Sequence, residues 1–401
     1  MLRYVKHVFD NVHGYIGLTE PELAVVDSPA FQRLRRVKQL GPADLVYPGA
    51  THSRFSHSLG SCFLAGRLME ALFPWEGEDA VQLVRLAALI HDVGHPPLSH
   101  TLEGAMGVGH EEVGEVLVLE GELADALSSA GYSPREVAEV AWGENPWRVV
   151  ISSPLDADRL DYLLRDSLHT GVVYGRPDVD RLLRVVRAVD VGGRTAVAVP
   201  ERSVHVVEHF LLARSFMYRA VYTHKTVVSF ELMYSKVYSL LAEAGEAPRG
   251  GDVLRTASSE SWRRVDDYWL SRLLRSSERV RELVDAVESR RPLKMVAEID
   301  GASPLFGEAM RLAEDGGAAL AAEAGVPPEW VVAGRPAMRV HVPGTLLVET
   351  ERGLVEIERL EGGLVAALER CGASEREVVR FYAREDLVDR LKRALERLLG
   401  S

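Results

Sequence analysis

Six of the 13 histidines fall between His52 and His110: His52, His57, His91, His95, His100 and His110. At their centre stands His91-Asp92-Val93-Gly94-His95-Pro96-Pro97-Leu98-Ser99-His100, directly after an apolar run ending at Leu89-Ile90. Arg54-Phe55-Ser56-His57-Ser58-Leu59-Gly60 lies upstream, and Asp156-Ala157-Asp158-Arg159-Leu160-Asp161-Tyr162 lies downstream. A lone His-Asp pair says little, since a histidine at a helix end often does no more than meet the helix dipole. Adjacent residues on a regular helix point about 100° apart, but at a helix end the last turn relaxes and imidazole and carboxylate can converge. Together the three segments offer His57, His91, Asp92 and Asp158. That mixed nitrogen and oxygen set suits a first-row divalent ion (Fe, Mn, Zn, Ni or Co) better than Ca. Four protein ligands around an octahedral ion leave positions for water and a phosphate oxygen, which is what hydrolysis needs.

A second line of residues points the same way. Asp158, Tyr162 and Asp166 recur at i, i+4 and i+8 with Arg159 beside them, on a helix whose other side is leucine. A solvated polar face would show the same pattern, but the neighbouring metal set favours a cleft wall. Arg214, Tyr218 and Tyr222 repeat the spacing, with His224 and Lys225 just beyond. Aromatic residues so placed usually pack in a core, and Arg214 in their stripe favours a pocket lining.

The elements that must hold these groups are mostly helical. Ala80 to Ile90, Leu155 to Leu168 and Val204 to Leu241 carry helical periodicity, the last as one long helix or two in tandem. Arg187 to Val199 reads as a β-hairpin around Gly192-Gly193. The Gly-, Ala- and Pro-rich stretch Ala242 to Asp252 separates two lobes, a core over residues 1–241 and an α+β lobe over 253–401. In that lobe, helices around Trp262 to Glu288 precede three short alternating segments, Met338 to Val342, Thr345 to Thr350 and Gly353 to Ile357. The chain closes on the amphipathic segment Glu375 to Leu399. The expected fold class is mainly α.

Bulk composition narrows the rest. The 401 residues carry a net charge of −12, which opposes non-specific duplex binding. Two cysteines, Cys62 and Cys371, cannot make a disulfide framework or a zinc ribbon, so a metal falls to histidine and carboxylate. No apolar run is long enough to span a bilayer and the N-terminus lacks a signal-peptide core, so the cytoplasm is the expected location and no membrane partner is expected.

On these motifs the sequence resembles the HD-domain dNTP triphosphohydrolases, the prokaryotic relatives of the SAM-and-HD-domain enzymes among them. The likeness runs in register from about Lys6 to Ser235 and reappears near Asp266 to Lys294. No SAM domain is expected, as the chain begins almost at the catalytic module. The resemblance implies an HD-domain helical core and makes His57, His91, Asp92 and Asp158 the metal ligands, with Mg as a candidate second ion. It makes His100 the catalytic histidine beside the α-phosphate, supported by His95, His110 and Glu103. Arg54, Arg159 and Arg214 would clamp the triphosphate, Arg159 standing where the family often has Lys. Tyr162 would share their cleft wall. Gln39 and Asp166 would hold the sugar 3′-hydroxyl, and Tyr222 with Leu40 would crowd out a 2′-hydroxyl. A GTP or dNTP activator is implied at Lys6, Asp27, Gln32 and Arg35, with Lys225, Arg290 and Lys294 around a second nucleotide, in a homo-oligomer (dimer or tetramer). Two positions depart from the pattern: His7 replaces an aliphatic residue beside Lys6, and Thr223 replaces an amide after Tyr222.

The implied reaction is hydrolysis of a dNTP substrate to deoxynucleoside and tripolyphosphate. Two alternatives share the motifs: an HD-type phosphodiesterase acting on cyclic or short oligonucleotides, and a non-catalytic nucleotide- or nucleic-acid-binding module. The intact ligand set weighs against the latter. Of the other histidines, His13 is expected to be structural and His52 to cap a loop. His169, His205, His209 and His341 are read as surface or packing residues. Glu111 and Glu112 are read as a helix-start charge pair.

Overall fold

The computed structural model describes residues 2–339, 346–371 and 375–400. The end of the expected strand at Val342, His341 and the Pro343-Gly344 break lie outside the described residues. The fold is mainly α, with small sheets concentrated in the C-terminal half.

The helices that matter to the cleft form for local reasons. Arg54–Leu72 and Glu78–Ile90 pack against each other. In the second, Val84, Leu86, Ala87, Ala88, Leu89 and Ile90 are all buried, so its C-terminal half is buried on every side, with Arg85 kept there by its ion pair with Glu22. Each of its valine, leucine and isoleucine side chains, fully buried, stabilises the fold by about 1.5–3 kcal/mol. The helix stops at Ile90, leaving His91 and Asp92 in a turn. Ala157–Thr170 begins where the Asp156 side chain accepts from the Arg159 N–H and ends at Gly171 in the left-handed region, φ 75°.

The long apolar stretch after residue 204 resolves into two helices, Val204–Met217 and Lys225–Glu243. Between them Tyr218–Tyr222 forms a π-helical turn. The wider turn breaks the regular repeat that the sequence spacing implies, and such turns are frequent at functional sites.

Among the described residues the strands form three sheets. Lys6–Asp10 and Gly14–Leu18 make an antiparallel hairpin. Arg187–Val191 and Arg194–Pro200 make a second, whose latter strand pairs in parallel with Leu346–Thr350, which in turn pairs with Gly353–Glu356. The hairpin near residue 190 thus shares a sheet with strands more than a hundred residues later. In the third sheet Glu375–Ala383 lies between Lys294–Asp300 and Val331–Gly334, with Ala337–Arg339 along its start. The closing amphipathic segment is therefore a strand followed by the helix Val388–Leu399, the β-branched and aromatic run Val378-Val379 and Phe381-Tyr382 belonging to the strand.

Candidate metal centre and cleft

His57, His91, Asp92 and Asp158 arrive from three places. His57 sits in the first turn of Arg54–Leu72, His91 and Asp92 in the turn after Ile90, and Asp158 in the first turn of Ala157–Thr170. The Nε2 atom of His57 lies 3.3 Å from Asp92 Oδ2 and 3.1 Å from Asp158 Oδ1. His91 Nε2 lies 3.3 Å from Asp92 Oδ1 and 3.8 Å from Asp158 Oδ1. Ligand atoms held about 2.1 Å from one ion at right angles stand about 3 Å apart, so the spacing is that of donors facing a shared cation.

The tautomers agree. His57 Nδ1 is 2.8 Å from the Asp161 carboxylate and His91 Nδ1 is 2.7 Å from the Ala88 carbonyl. Both oxygens only accept, so each Nδ1 carries a proton and each Nε2 faces inward, where it can take either a second proton or a metal ion. Among the described residues the buried His91 Nε2 makes no hydrogen bond, an orphan that a metal would satisfy. The residues present therefore fit a divalent ion.

The electrostatics ask for positive charge. Burial pulls the His57 imidazole down, but hydrogen bonds to Asp158 and Asp161 and the charge of Asp92 outweigh it and push it up to about 10. Burial raises Asp158, and contact with His57 and His91 reverses this and holds it below the usual carboxylate range. Asp92 is likewise opposed by burial, yet Arg54, His91 and His95 hold it well below that range.

Asp161 is the anchor behind His57, and its own two oxygens are fully engaged. Arg165 donates to both, at 2.8 and 2.9 Å, and His13 Nε2 donates to Oδ1 at 2.7 Å. Arg165 also reaches Asp10 at 2.9 Å, so the first hairpin is tied to the site. Gly60 makes room for this: a Cβ there would fall 1.8 Å from Asp161 Oδ1. Asp10, Asp161 and Arg165 carry no role in the sequence motifs, while His13, expected to be structural, holds Asp161. The i, i+4 pair Asp161/Arg165, one turn from Asp158, is the signal in the sequence for those two, and Asp10 has none.

A second histidine group adjoins the first. His95, His100 and His110 bring their Nδ1 atoms to one oxygen of Glu103, at 3.2, 3.1 and 2.8 Å. His95 and His110 stack with ring centres 3.9 Å apart. Burial together with the Arg54 and His110 charges pulls His95 down to about 3, keeping it neutral, and its Nε2 lies 3.2 Å from Asp92. Gly94 lets the helix His110–Glu120 approach, since a Cβ there would meet the His110 carbonyl at 2.1 Å. His100 differs from its companions: its side chain is 66% exposed and faces the cleft.

The cleft has a volume of about 440 Å³ and takes in the expected clamp and sugar residues, Arg54, Arg159, Arg214, Gln39, Leu40, Tyr162, Asp166 and Tyr222, beside the metal set. Arg54 donates to Asp92 at 2.5 Å and to Ser99 at 2.8 Å, and Arg159 pairs with Asp156. Among the described residues the buried Nε atoms of Arg159 and Arg214 and the Oε1 of Gln39 have no hydrogen-bond partner. These unmet groups point to a polar, anionic occupant. His52 is not a loop cap. It is buried, donates to Asp166 Oδ1 at 2.8 Å and stacks on His169 at 4.4 Å, while Tyr222 donates to Asp166 Oδ2 at 2.7 Å.

The proposed activator residues lie away from this cleft. Arg35 donates to Gln32 at 2.7 Å and stacks over Phe55, Lys6 begins the first strand, and Asp27 caps Glu20–Val26. Lys225 borders a hollow with Arg219 and Arg380, whereas Arg290 and Lys294 border another with Trp330 and Arg384.

The helices and the His/Asp centre are those of an HD-domain protein, and comparison with known families agrees. Residues 54–163 match the HD domain and residues 178–400 match the HD associated region. The second match covers more than half of the chain, and the protein belongs to the HD-domain family that carries this region. It is 41% identical over 223 residues to an uncharacterized protein of Methanocaldococcus jannaschii, covering 56% of this chain and 47% of that one. It is 30% identical over 272 residues to the deoxynucleoside triphosphate triphosphohydrolase SAMHD1 of Gallus gallus, covering 57% and 44%. The chain spans about half the length of the curated relatives it matches. A crystal structure of a hypothetical protein from Aquifex aeolicus superposes with a TM-score of 0.78 at 29% identity, covering 97% of this chain and 99% of that one. No described helix is long and apolar enough to cross a membrane.

Proposed function

We propose that this protein is a metal-dependent phosphohydrolase that converts deoxynucleoside triphosphates to deoxynucleoside and tripolyphosphate. The observation that carries the proposal is the convergence of His57, His91, Asp92 and Asp158 in a cleft where the Nε groups of Arg159 and Arg214 are unmet. The SAMHD1 relatives, which are deoxynucleoside triphosphate triphosphohydrolases, support dNTP as the substrate class.

His57, His91, Asp92 and Asp158 would hold the ion, which when bound supplies an activated water and offsets charge at the attacked phosphorus. Arg54, Arg159 and Arg214 bind and orient the triphosphate through charge-assisted hydrogen bonds. For Arg159 that means exchanging Asp156 for phosphate. Gln39 Oε1 and the Asp166 carboxylate, steadied by His52 and Tyr222, hold the 3′-hydroxyl. The Tyr222 ring and Leu40 crowd the sugar carbon that would carry a 2′-hydroxyl. Attack of water at the α-phosphorus breaks its bond to the 5′ oxygen, and that oxygen must gain a proton. His100 donates it from Nε2, the ring nitrogen left facing the cleft while Nδ1 is held by the Glu103 carboxylate, and the proton shed by the attacking water passes to solvent.

The proposal also takes residues 1–241 as the catalytic core and 253–401 as an assembly and regulatory lobe. It assigns a guanine nucleotide activator to Lys6, Asp27, Gln32 and Arg35. Incubation with each dNTP and Mn or Mg, with and without GTP, followed by product separation, tests the reaction and the activator. Nucleoside and tripolyphosphate support it. Release of monophosphate or diphosphate points to a different reaction, hydrolysis of cyclic or short oligonucleotides instead favours the phosphodiesterase reading, and no turnover favours the binding module.

A further inference from the structure

Leu98 and Ser99, immediately before His100, are two consecutive non-glycine residues in the left-handed region, at φ 55° and 57°. Side chains there crowd the backbone, so the surroundings must hold the conformation. Part of the hold is local: Ser99 Oγ donates to the Lys38 carbonyl at 2.6 Å and accepts from Arg54 Nε at 2.8 Å. The rest comes from far along the chain. Asp267 Oδ1 accepts the Leu98 N–H at 2.8 Å, and Asp267 Oδ2 accepts the Lys38 N–H at 3.0 Å.

One carboxylate therefore ties together two strips of backbone. One strip leads into Gln39 and Leu40, the other into Ser99 and His100. Asp267 does not line the cleft; it stands behind the wall, bordering a separate hollow of about 510 Å³. Its neighbour Val265 completes the support, since Arg33 donates to the Val265 carbonyl at 2.6 Å and to the Val93 and His95 carbonyls at 2.9 and 2.6 Å. The segment 265–267 thus props the histidine turn at both ends, although it belongs to the associated region and not to the HD match.

Resting on the hydrolase reading above, we propose that Asp267 is a positioning residue that sets the separation of His100 from the sugar-holding Gln39 by accepting both backbone N–H groups. A carboxylate is the side chain for this task, since both oxygens accept. The amide of asparagine has one accepting oxygen and would turn an N–H donor toward the second N–H.

Asp266 supplies the control. It caps the same helix by accepting the Trp269 N–H at 2.9 Å and pairs with Arg36, but touches neither strip. Asp267→Asn and Asp266→Asn are compared, both metal-loaded, for kcat and KM on a dNTP, metal content and amide exchange. Asp267→Asn is expected to lower kcat about 10-fold or more at unchanged metal content, and to speed exchange at Leu98 and Lys38. Asp266→Asn is expected to lower thermal stability while leaving kcat within about twofold. Equal losses of kcat in the two variants, or a wild-type kcat in Asp267→Asn, would overturn the assignment. The exchange measurement needs no substrate. If the parent turns over no dNTP yet Leu98 and Lys38 lose protection in Asp267→Asn, the hydrolase reading falls and the brace stands. Unchanged protection removes the brace whatever the activity. Should Asp267→Asn fail to accumulate, Asp267→Glu takes its place, shifting both acceptors by one methylene with the same expected outcome.

Discussion

Gly60 and Asp161 face each other across two packed helices so closely that a methyl group at position 60 would lie 1.8 Å from the Asp161 carboxylate. That carboxylate fixes the His57 tautomer, so the absence of a side chain at Gly60 bears directly on the metal centre. Gly60→Ala must displace Asp161 or spread the helices. Loss of such an outer partner typically weakens metal binding about 10- to 100-fold. Titration with Mn or Zn should show that loss, with a lower melting temperature besides. Parental affinity in Gly60→Ala would show that the Asp161–His57 contact does not tune the site.

Metal binding should also stabilise the fold, because the ligands come from segments that meet only in the native chain. An ion present at about 100 times its Kd adds roughly 2.7 kcal/mol. Chelation should therefore lower the melting temperature and abolish turnover, and Mn should restore both. The double substitution His91→Ala/Asp158→Ala should remove the response to chelator. A chelator effect surviving in that variant would place the ion elsewhere.

His100 is set apart from the ligands by its exposure and by its Nδ1 contact with Glu103. His100→Ala should keep full metal content while turnover falls about 100-fold or more. Metal analysis beside a product assay checks this, and undiminished turnover would move the proton-donating role to another group.

Glu231 lies in the cleft wall on Lys225–Glu243, and burial pushes its carboxyl up to about 7 from an ordinary 4.5. Between these values the folded chain binds more protons than the unfolded one, so unfolding free energy declines as pH rises through that window. Above pH 7 the buried charge costs the fold most. Glu231→Gln removes the cost and should be more stable than the parent at pH 8 by roughly 1–2 kcal/mol, discounted for its partial exposure to the cleft. Below about pH 4.5 the two should match. Urea unfolding at pH 4.5 and pH 8 measures the difference, and equal midpoints at pH 8 would show that Glu231 finds a partner in solution.

Much of the helical framework is legible from periodicity: the buried helix ending at Ile90, the polar stripe of Asp158, Tyr162 and Asp166, and the hairpin around Gly192-Gly193 all follow from local pattern. The π turn at Tyr218–Tyr222 is not legible, because the i, i+4, i+8 spacing of Arg214, Tyr218 and Tyr222 reads as a regular helix. The parallel pairing of Arg194–Pro200 with Leu346–Thr350 is equally hidden, since strands of similar composition do not declare their partners.

Residue type and spacing alone determined which side chains could take a divalent ion, because few groups bind one and three short motifs concentrate them. The outer contacts were decided only in three dimensions: His13 reaches Asp161 across 148 positions, His52 reaches Asp166 across 114, and Asp267 reaches Lys38 across 229. Each is a single residue with no periodic signature, and its partner is chosen by which helices pack together. Donor chemistry is a property of the side chain, whereas its orientation belongs to the whole fold.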